Sequence, residues 1–355
     1  MSQKKVTLVY SLKNTFVLKD IELLEQMGYK VVTIHSPPYS DFLRFSWNRI
    51  KEFFLGFFLL SKSKAVFSWF NDYHTAVAFF WAKKFNKKRI LIIGGYDAVS
   101  SINLDYGIFL KDNFRQFLAR WNYANANEIW VVHKSLAEGC PKANQQKGTL
   151  SGILNFIPDL KPVIREVPTA YDDEFWKREG EKNIKGIITV ANITDQRTYL
   201  RKGIPLFVKL AETLPDYQFT IAGIQKPINY QRRLPKNITL LGRLEREELK
   251  NQYNKHQFYF QGSEIEGLPN VLCEAMLCEC IPLGTNVFGI PDAIGNTGKI
   301  FNASEHLEST ISFIKSLKNP KQLGEKARAR IVVKYPVSKR ERVFKEVIST
   351  KANEK

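Results

Sequence analysis

Residues 266–276 read EGLPNVLCEAM, which sets two carboxylates, Glu266 and Glu274, on either side of a Gly-Leu-Pro turn. Pro269 suits the first turn of a helix, because its missing N–H is not needed there and its fixed φ favours entry. It also biases Leu268 away from the α region, so a helix is expected to begin here. Within that helix Asn270 and Glu274, four apart, share a face, while Val271, Leu272, Ala275 and Met276 turn to an apolar side. Both carboxylates then lie near the positive helix end, beside the amides of Gly267, Leu268, Asn270 and Val271. An ionised carboxylate accepts hydrogen bonds from hydroxyls and is unsuited to phosphate oxygens. The chemistry that fits is a sugar or ribose ring at each carboxylate, with phosphates against the amides and cations. Glutamates in the first turns of any helix also complement its dipole, so spacing alone leaves a ligand site and helix-end electrostatics both open.

The elements that must position these residues alternate from the start of the chain. VTLVYS (6–11), YKVVTIHS (29–36), AVFSWF (65–70), RILIIGG (89–95) and EIWVVH (128–133) read as strands. Helical runs separate them at 17–28, 48–62, 75–85 and 110–124. The pattern lapses over 157–182, whose second half reads as a domain linker. It restarts with GIITVA (186–191), a helical 203–215, QFTIAG (218–223), ITLLGR (238–243), a helical 246–256, FYFQGS (258–263), the 270–280 helix, IPLGTN (281–286) and GKIF (298–301). Three helices then fill 306–350. This alternation predicts two α/β domains with parallel sheets, and ligands of such sheets bind beyond the carboxyl ends of the strands. GSEIEGLPN is one such strand-to-helix turn.

The net charge of +18 is spread over both halves: 23 Lys/Arg stand against 13 Asp/Glu in residues 1–168, and 30 against 22 in the rest. A surplus of this kind suits a nucleotide diphosphate, a nucleic acid or an anionic membrane face, or serves solubility. No nucleic-acid recognition module fits the alternation, and the first strand is followed by SLKNTF rather than the Gly-rich fingerprint of a dinucleotide enzyme. MSQKKVTLVYS begins a strand rather than a signal peptide, and four cysteines fit a reducing cytoplasm. Cys273, Cys278 and Cys280 lack the second ligand pair of a zinc site. FFLGFFLL (53–60) is the most apolar run, far shorter than a membrane span; it reads as part of a buried helix, the alternative being an interfacial one.

The stretch FQGSEIEGLPNVLCEAMLCECIPLGTNVFGIPDAIGNTGKIF (260–301) resembles the signature region of the family 4 retaining glycosyltransferases (glycosyl transferases group 1) of GT-B architecture. VPTAYDDEFW (167–176) is similar to that family's domain junction, TVANITDQRTYLRKG (189–203) to its first C-terminal βα turn, and QFTIAG to its next strand; the N-terminal half resembles it only loosely. The resemblance implies two Rossmann-like domains facing a central cleft: an acceptor domain over 1–168, a nucleotide-sugar domain over 169–335 and a C-terminal helix, 336–355, packing back on the first. It implies that Glu274 accepts from the ribose hydroxyls, that Glu266 meets the transferred sugar near the reacting carbon, and that the backbone of Gly267, Leu268, Pro269, Asn270 and Val271 lines the donor. Lys202 matches the family's lysine for the leaving diphosphate, with Arg197 or Arg201 as the companion arginine. Preorganised cations at a developing anion are commonly the largest catalytic term.

Two departures accompany the likeness. The family often carries His-Gly and then Asp after the strand RILII, where this chain has Gly94-Gly95-Tyr96-Asp97, and a family glycine is replaced by Phe288. Asp97 is retained as a candidate sugar or acceptor contact, and His74, at another strand-to-helix turn, as a candidate on the N-terminal side; an ordinary helix residue is the alternative for His74, and His133 is placed similarly. The expected activity is metal-independent transfer of a sugar, with UDP favoured, to a saccharide or lipid-linked acceptor of polysaccharide or glycan synthesis. No cofactor beyond the donor substrate is expected, and the inner face of the plasma membrane is a possible docking surface. A GT-B protein that binds nucleotide sugar without transferring it, and a basic nucleic-acid binder, are the alternatives.

Overall fold

The computed structural model describes residues 3–225, 234–302 and 307–350, so His306, the first residue of the expected 306–350 helices, lies outside the described residues. The chain divides into two compact units, Met1–Ala170 with Val337–Lys355, and Tyr171–Pro336.

Unit 1 is built on β1 (Lys5–Tyr10), β2 (Lys30–His35), β3 (Ser63–Trp69), β4 (Lys88–Ile93), β6 (Glu128–Val131) and β8 (Val163–Glu166). These form a parallel sheet in the order β2-β1-β3-β4-β6-β8. β5 (Val99–Ser101) and β7 (Thr149–Ser151) make a separate antiparallel pair. Four helices, α1 (Thr15–Gln26), α2 (Phe42–Ser61), α3 (Tyr73–Lys84) and α4 (Phe114–Asn125), connect the strands; three single turns follow, α5 (Ser135–Glu138), α6 (Pro141–Asn144) and α7 (Ile153–Phe156). The helix expected over 110–124 starts at Phe114 because the Asn113 side chain accepts from the Gln116 amide at 3.1 Å, a cap that stops the helix from extending backwards. The irregular 157–182 segment contains β8, which escapes the pattern because four half-exposed residues at a sheet edge carry too little alternation.

Unit 2 holds β9 (Asn183–Ile193), β10 (Gln218–Ile224), β11 (Ile238–Leu241), β12 (His256–Gln261), β13 (Ile281–Thr285) and β14 (Lys299–Phe301), all parallel in the order β11-β10-β9-β12-β13-β14. Its helices are α8 (Gln196–Arg201), α9 (Ile204–Thr213), α10 (Arg246–Lys255), α11 (Asn270–Leu277), α12 (Ile290–Ile294), α13 (Leu307–Ser316) and α14 (Pro320–Lys334). Phe207 of α9 packs on Phe219 and Phe260 of the strands, and Ile187, Ile221 and Leu283 extend this core across the sheet. In this order the strand sequence reverses between β9 and β12, the point at which open α/β sheets form a ligand crevice beyond the strands' carboxyl ends. In unit 1 the corresponding point lies between β1 and β3.

The helix α15 (Val337–Ser349) completes unit 1. Phe344 stands edge-on to Phe67 and Trp130, with ring centroids 5.1 and 5.2 Å away. Arg340 is buried and grips the Asp20 carboxylate of α1 through two bonds of 2.6 and 2.7 Å, while its remaining nitrogen donates to the carbonyls of Val167 and Pro168. Trp69 Nε1 donates to the same carboxylate at 2.7 Å.

One expectation is overturned. α2 is not a buried helix: Gly56 and Leu60 are its only buried residues, and Leu43, Phe54 and Phe58 are 77, 62 and 65% exposed. An all-apolar run implies burial only if a neighbour exists on every side, and α2 is covered along one side alone, by α3.

Replacing Arg340 with Ala leaves the Asp20 carboxylate buried without its cation. The expected cost is about 3–5 kcal/mol of unfolding free energy, read as a lower urea midpoint at unchanged slope; a loss below about 1 kcal/mol contradicts it.

Candidate active site

Lys202 and Glu266 come together at the crevice of unit 2, although 64 residues separate them. Lys202 sits between α8 and α9 in the loop after β9, and Glu266 lies in the loop between β12 and α11. The two loops approach so closely that a Cβ on Gly203 would lie 1.9 Å from the Gly262 carbonyl oxygen, and one on Gly262 would lie 2.9 Å from the Gly203 oxygen. Gly203 also has φ of +67°, the left-handed region open to glycine. Backbone and side chain then lace the loops: the Glu264 amide donates to the Arg201 carbonyl at 2.9 Å, and Arg201 Nη1 donates to the Ile265 carbonyl.

The Lys202 ammonium bonds the Glu266 carboxylate, with both side chains largely buried. Burial works to raise the Glu266 carboxyl, but Lys202, Arg201 and the Ser263 hydroxyl outweigh it and hold it below the ordinary glutamate value. Burial pushes Lys202 down, against the pull of Glu266. The carboxylate therefore stays ionised as an acceptor. A chain of partners that no sequence periodicity marks supports it: Tyr259 Oη donates to Gln261, Gln261 to the Ser263 hydroxyl, and Ser263 to Glu266, while Thr285 at the end of β13 donates to the Ser263 carbonyl. Their one mark in the sequence is position, since Gln261, Ser263 and Thr285 stand at or just past a strand's carboxyl end and Tyr259 lies two residues before one.

α11 begins at Asn270, with Pro269 as an extended N-cap (ψ 116°) rather than inside the first turn. The shift is one residue, and the first-turn amides of Asn270 and Val271 still lie at the positive helix end. Glu274 is buried, 4% exposed, on the same helix. Asn270 Oδ1 is buried without a hydrogen-bond partner. Gly267 accepts from the Gly289 amide at 3.0 Å, which docks a third loop on the Gly267–Pro269 turn. Next to it Phe288 holds φ of +50° and is buried: the backbone keeps a left-handed conformation natural to glycine and carries an aromatic ring instead. Of the two candidate arginines, Arg201 lies against the Glu266 loop, whereas Arg197 is half-exposed and pairs with Asp195 at 3.6 Å. The three cysteines at 273, 278 and 280 are buried free thiols.

The unit 1 candidates lie in a buried polar network after β3 and β4. Asp97 Oδ1 accepts from the amides of Gly94 and Gly95 at 3.2 and 3.0 Å and Oδ2 from that of Asn71 at 3.1 Å, so its carboxylate clamps the turn. Burial raises its pKa to about 6, in spite of those amides. Asn71 continues to Asn122, which also bonds the Asp72 carbonyl, and Arg115 grips Asp72. His74 Nε2 donates to the Trp69 carbonyl at 2.9 Å, its Nδ1 is buried without a partner, and burial lowers its pKa, which favours the neutral ring. His133 is buried with Nδ1 2.8 Å from the Ser135 hydroxyl. At Gly94, where the family often has histidine, a Cβ would meet the Phe70 ring at 2.7 Å.

With this geometry in place, the comparisons with known proteins are specific. Residues 174–330, nearly the whole of unit 2, match the family model "Glycosyl transferases group 1". Over 158 residues the chain is 26% identical to the phosphatidylinositol N-acetylglucosaminyltransferase GPI3 subunit of Saccharomyces cerevisiae, covering 40% of this chain and 35% of that protein. The chain thus spans about a third of the length of the curated relatives it matches. Among solved structures it is similar to sucrose-phosphate synthase from Thermosynechococcus elongatus, with TM-score 0.74 and 15% identity over 97% of this chain and 98% of that one. It is also similar to HepE of Anabaena in complex with UDP-glucose, with TM-score 0.66 and 10% identity over 98 and 100%. Unit 2 therefore matches the group 1 glycosyltransferase model over nearly its whole length, and the fold of the chain is GT-B.

Two titrations check the electrostatics. The folded Glu266 pKa lies below its unfolded value, so this carboxylate adds stability above the ordinary carboxyl range and loses it as pH falls. In Lys202→Met burial prevails, and the carboxyl carbon should titrate above the ordinary glutamate value by NMR. Asp97 has the opposite sign: its contribution is complete below the ordinary aspartate value and is lost as pH rises through about 6. An Asp97 carboxyl midpoint below pH 4.5 would refute that assignment.

Proposed function

We propose that the protein transfers a sugar from a UDP-sugar to a saccharide or lipid-linked saccharide acceptor, with retention at the anomeric carbon. The observation that carries this reading is the Lys202–Glu266 pair, held at the unit 2 crevice against the N-terminus of α11. In this reading Glu274 accepts from the ribose hydroxyls, and Glu266, kept ionised by Lys202, accepts from a hydroxyl of the transferred sugar. The diphosphate lies against the first-turn amides of α11 and the cations of Lys202 and Arg201, with Arg197 further out. Asn270 Oδ1 is an open acceptor at the same helix end.

Lys202 serves two anions in succession. Before the donor enters it neutralises Glu266, and as the sugar–phosphate bond breaks it faces the charge developing on the leaving UDP, where a preorganised cation costs no reorganisation. No enzymic nucleophile is assigned, so transfer proceeds on one face of the sugar: the bond from C1 to the phosphate oxygen breaks, the bond from C1 to the acceptor oxygen forms, and the acceptor's proton passes to the departing phosphate. UDP in the HepE complexes supports a uridine donor, and the phosphatidylinositol in the yeast relative's name supports a lipid-linked acceptor. We assign no metal ion to the reaction.

Titration calorimetry with UDP, GDP, ADP and their sugar conjugates tests the donor site. UDP or a UDP-sugar should bind, and Glu274→Ala should lose about 1.5–3 kcal/mol, the range for hydrogen bonds to a charged group. Lys202→Ala should lower kcat by about 10²–10³, and a chelator should leave turnover unchanged. The space at Gly94 filled by Phe70 makes a second outcome specific: UDP-sugar binding with no turnover on any acceptor identifies a GT-B protein that holds donor without transferring it.

A further inference from the structure

We infer that α2 is an in-plane docking element for an anionic lipid surface. Nine of its twenty residues are exposed large hydrophobics. Leu43, Trp47, Ile50, Phe54 and Phe58 follow one another at steps of four, three, four and four, which places them in one stripe along the outer face. The opposite face is fixed: Gly56 lies so near Trp81 of α3 that a Cβ would come within 2.9 Å of its ring, Trp81 Nε1 donates to the Phe53 carbonyl at 2.8 Å, and Leu60 is buried. The stripe is therefore presented by an anchored helix.

Charge selects the occupant. Arg44, Lys51 and Lys62 are exposed on or at the end of α2, and Lys83 and Lys84 end the neighbouring α3. The acids of α2 are turned to other work: Asp41 caps the Arg44 amide at 2.6 Å, and Glu52 is largely buried against Arg49 and Ser36. Lys51 lies over the Trp47 ring and Lys84 over Phe80. Aromatic rings with cations reaching past them suit the boundary between acyl chains and anionic headgroups. A second copy of this face would set cation against cation, and no helix among the described residues is long and apolar enough to cross a membrane. An anionic bilayer satisfies both the apolar stripe and the lysines around it.

Co-sedimentation of the whole protein with vesicles of phosphatidylcholine alone, and with vesicles rich in phosphatidylglycerol, tests the assignment. Pelleting is expected with the anionic vesicles only. It should fall about tenfold or more in the Leu43→Asp/Phe54→Asp double variant and in Lys51→Glu/Lys84→Glu, and stay unchanged in Ile184→Asp, which alters an exposed apolar residue of unit 2. Circular dichroism and UDP titration accompany each variant, so a misfolded chain or a failed donor site is told apart from a failed membrane site. Recovery in the supernatant with both vesicle types overturns the inference, as does pelleting that the α2 variants leave intact. A dimer by light scattering that Leu43→Asp/Phe54→Asp converts to monomer would assign the face to a second copy instead.

Discussion

The loops after β9 and β12 can meet because neither Gly203 nor Gly262 carries a side chain. A single methyl at either position would have to occupy space already filled by the other's backbone. The geometry of the proposed donor site depends on that approach. It brings the Lys202 ammonium to Glu266, lets the Glu264 amide reach the Arg201 carbonyl, and places the pair at the head of α11. The strand order supplies the crevice, but an open crevice would leave Lys202 solvated and its charge screened. Closing the loops takes most of the pair's surface out of water, and the support of Ser263, Gln261 and Tyr259 then fixes which oxygen of Glu266 is already engaged.

The two units use the carboxyl ends of their strands differently. In unit 2 a charged pair is kept partly accessible, with an unpartnered acceptor, Asn270 Oδ1, nearby. In unit 1 the same region is filled by neutral or internally satisfied groups: the Asp97 carboxylate spends its lone pairs on three backbone amides, and Asp72 is taken by Arg115. Such a network rigidifies turns. The corresponding region of unit 2 is built instead around the Lys202–Glu266 ion pair.

Much of this was legible in the sequence. Buried parallel strands read as apolar runs, and the turns that follow them name themselves through Gly, Pro and capping residues, so the Glu266–Glu274 loop stood out, while Lys202 was marked by the family resemblance. What escaped depends on tertiary placement. β8 is an edge strand of four residues between prolines, and its pairing to β6 has no local signature. The exposure of α2 was unreadable because hydrophobicity reports what a residue prefers, and only the packed structure reports which neighbours arrived. Arg201 and Arg197 are equivalent as letters; α8 turns one toward Ile265 and leaves the other with Asp195. Phe288 was legible as a departure, and the structure adds that its backbone is left-handed, a conformation glycine adopts readily.

The route of the chain has a consequence for how the protein is made. Unit 2 begins at Tyr171 and ends at Pro336, and these two residues are bridged, with the Tyr171 amide donating to the Tyr335 carbonyl. It is a guest inserted before the last helix of its host. During synthesis the guest is complete while the host still lacks α15: Asp20 waits for Arg340, 320 residues downstream, and Phe67 and Trp130 wait for Phe344. The unit whose strands are made before the other's is therefore the later to close, and its uncovered aromatic face is the one that a chaperone would meet on the nascent chain.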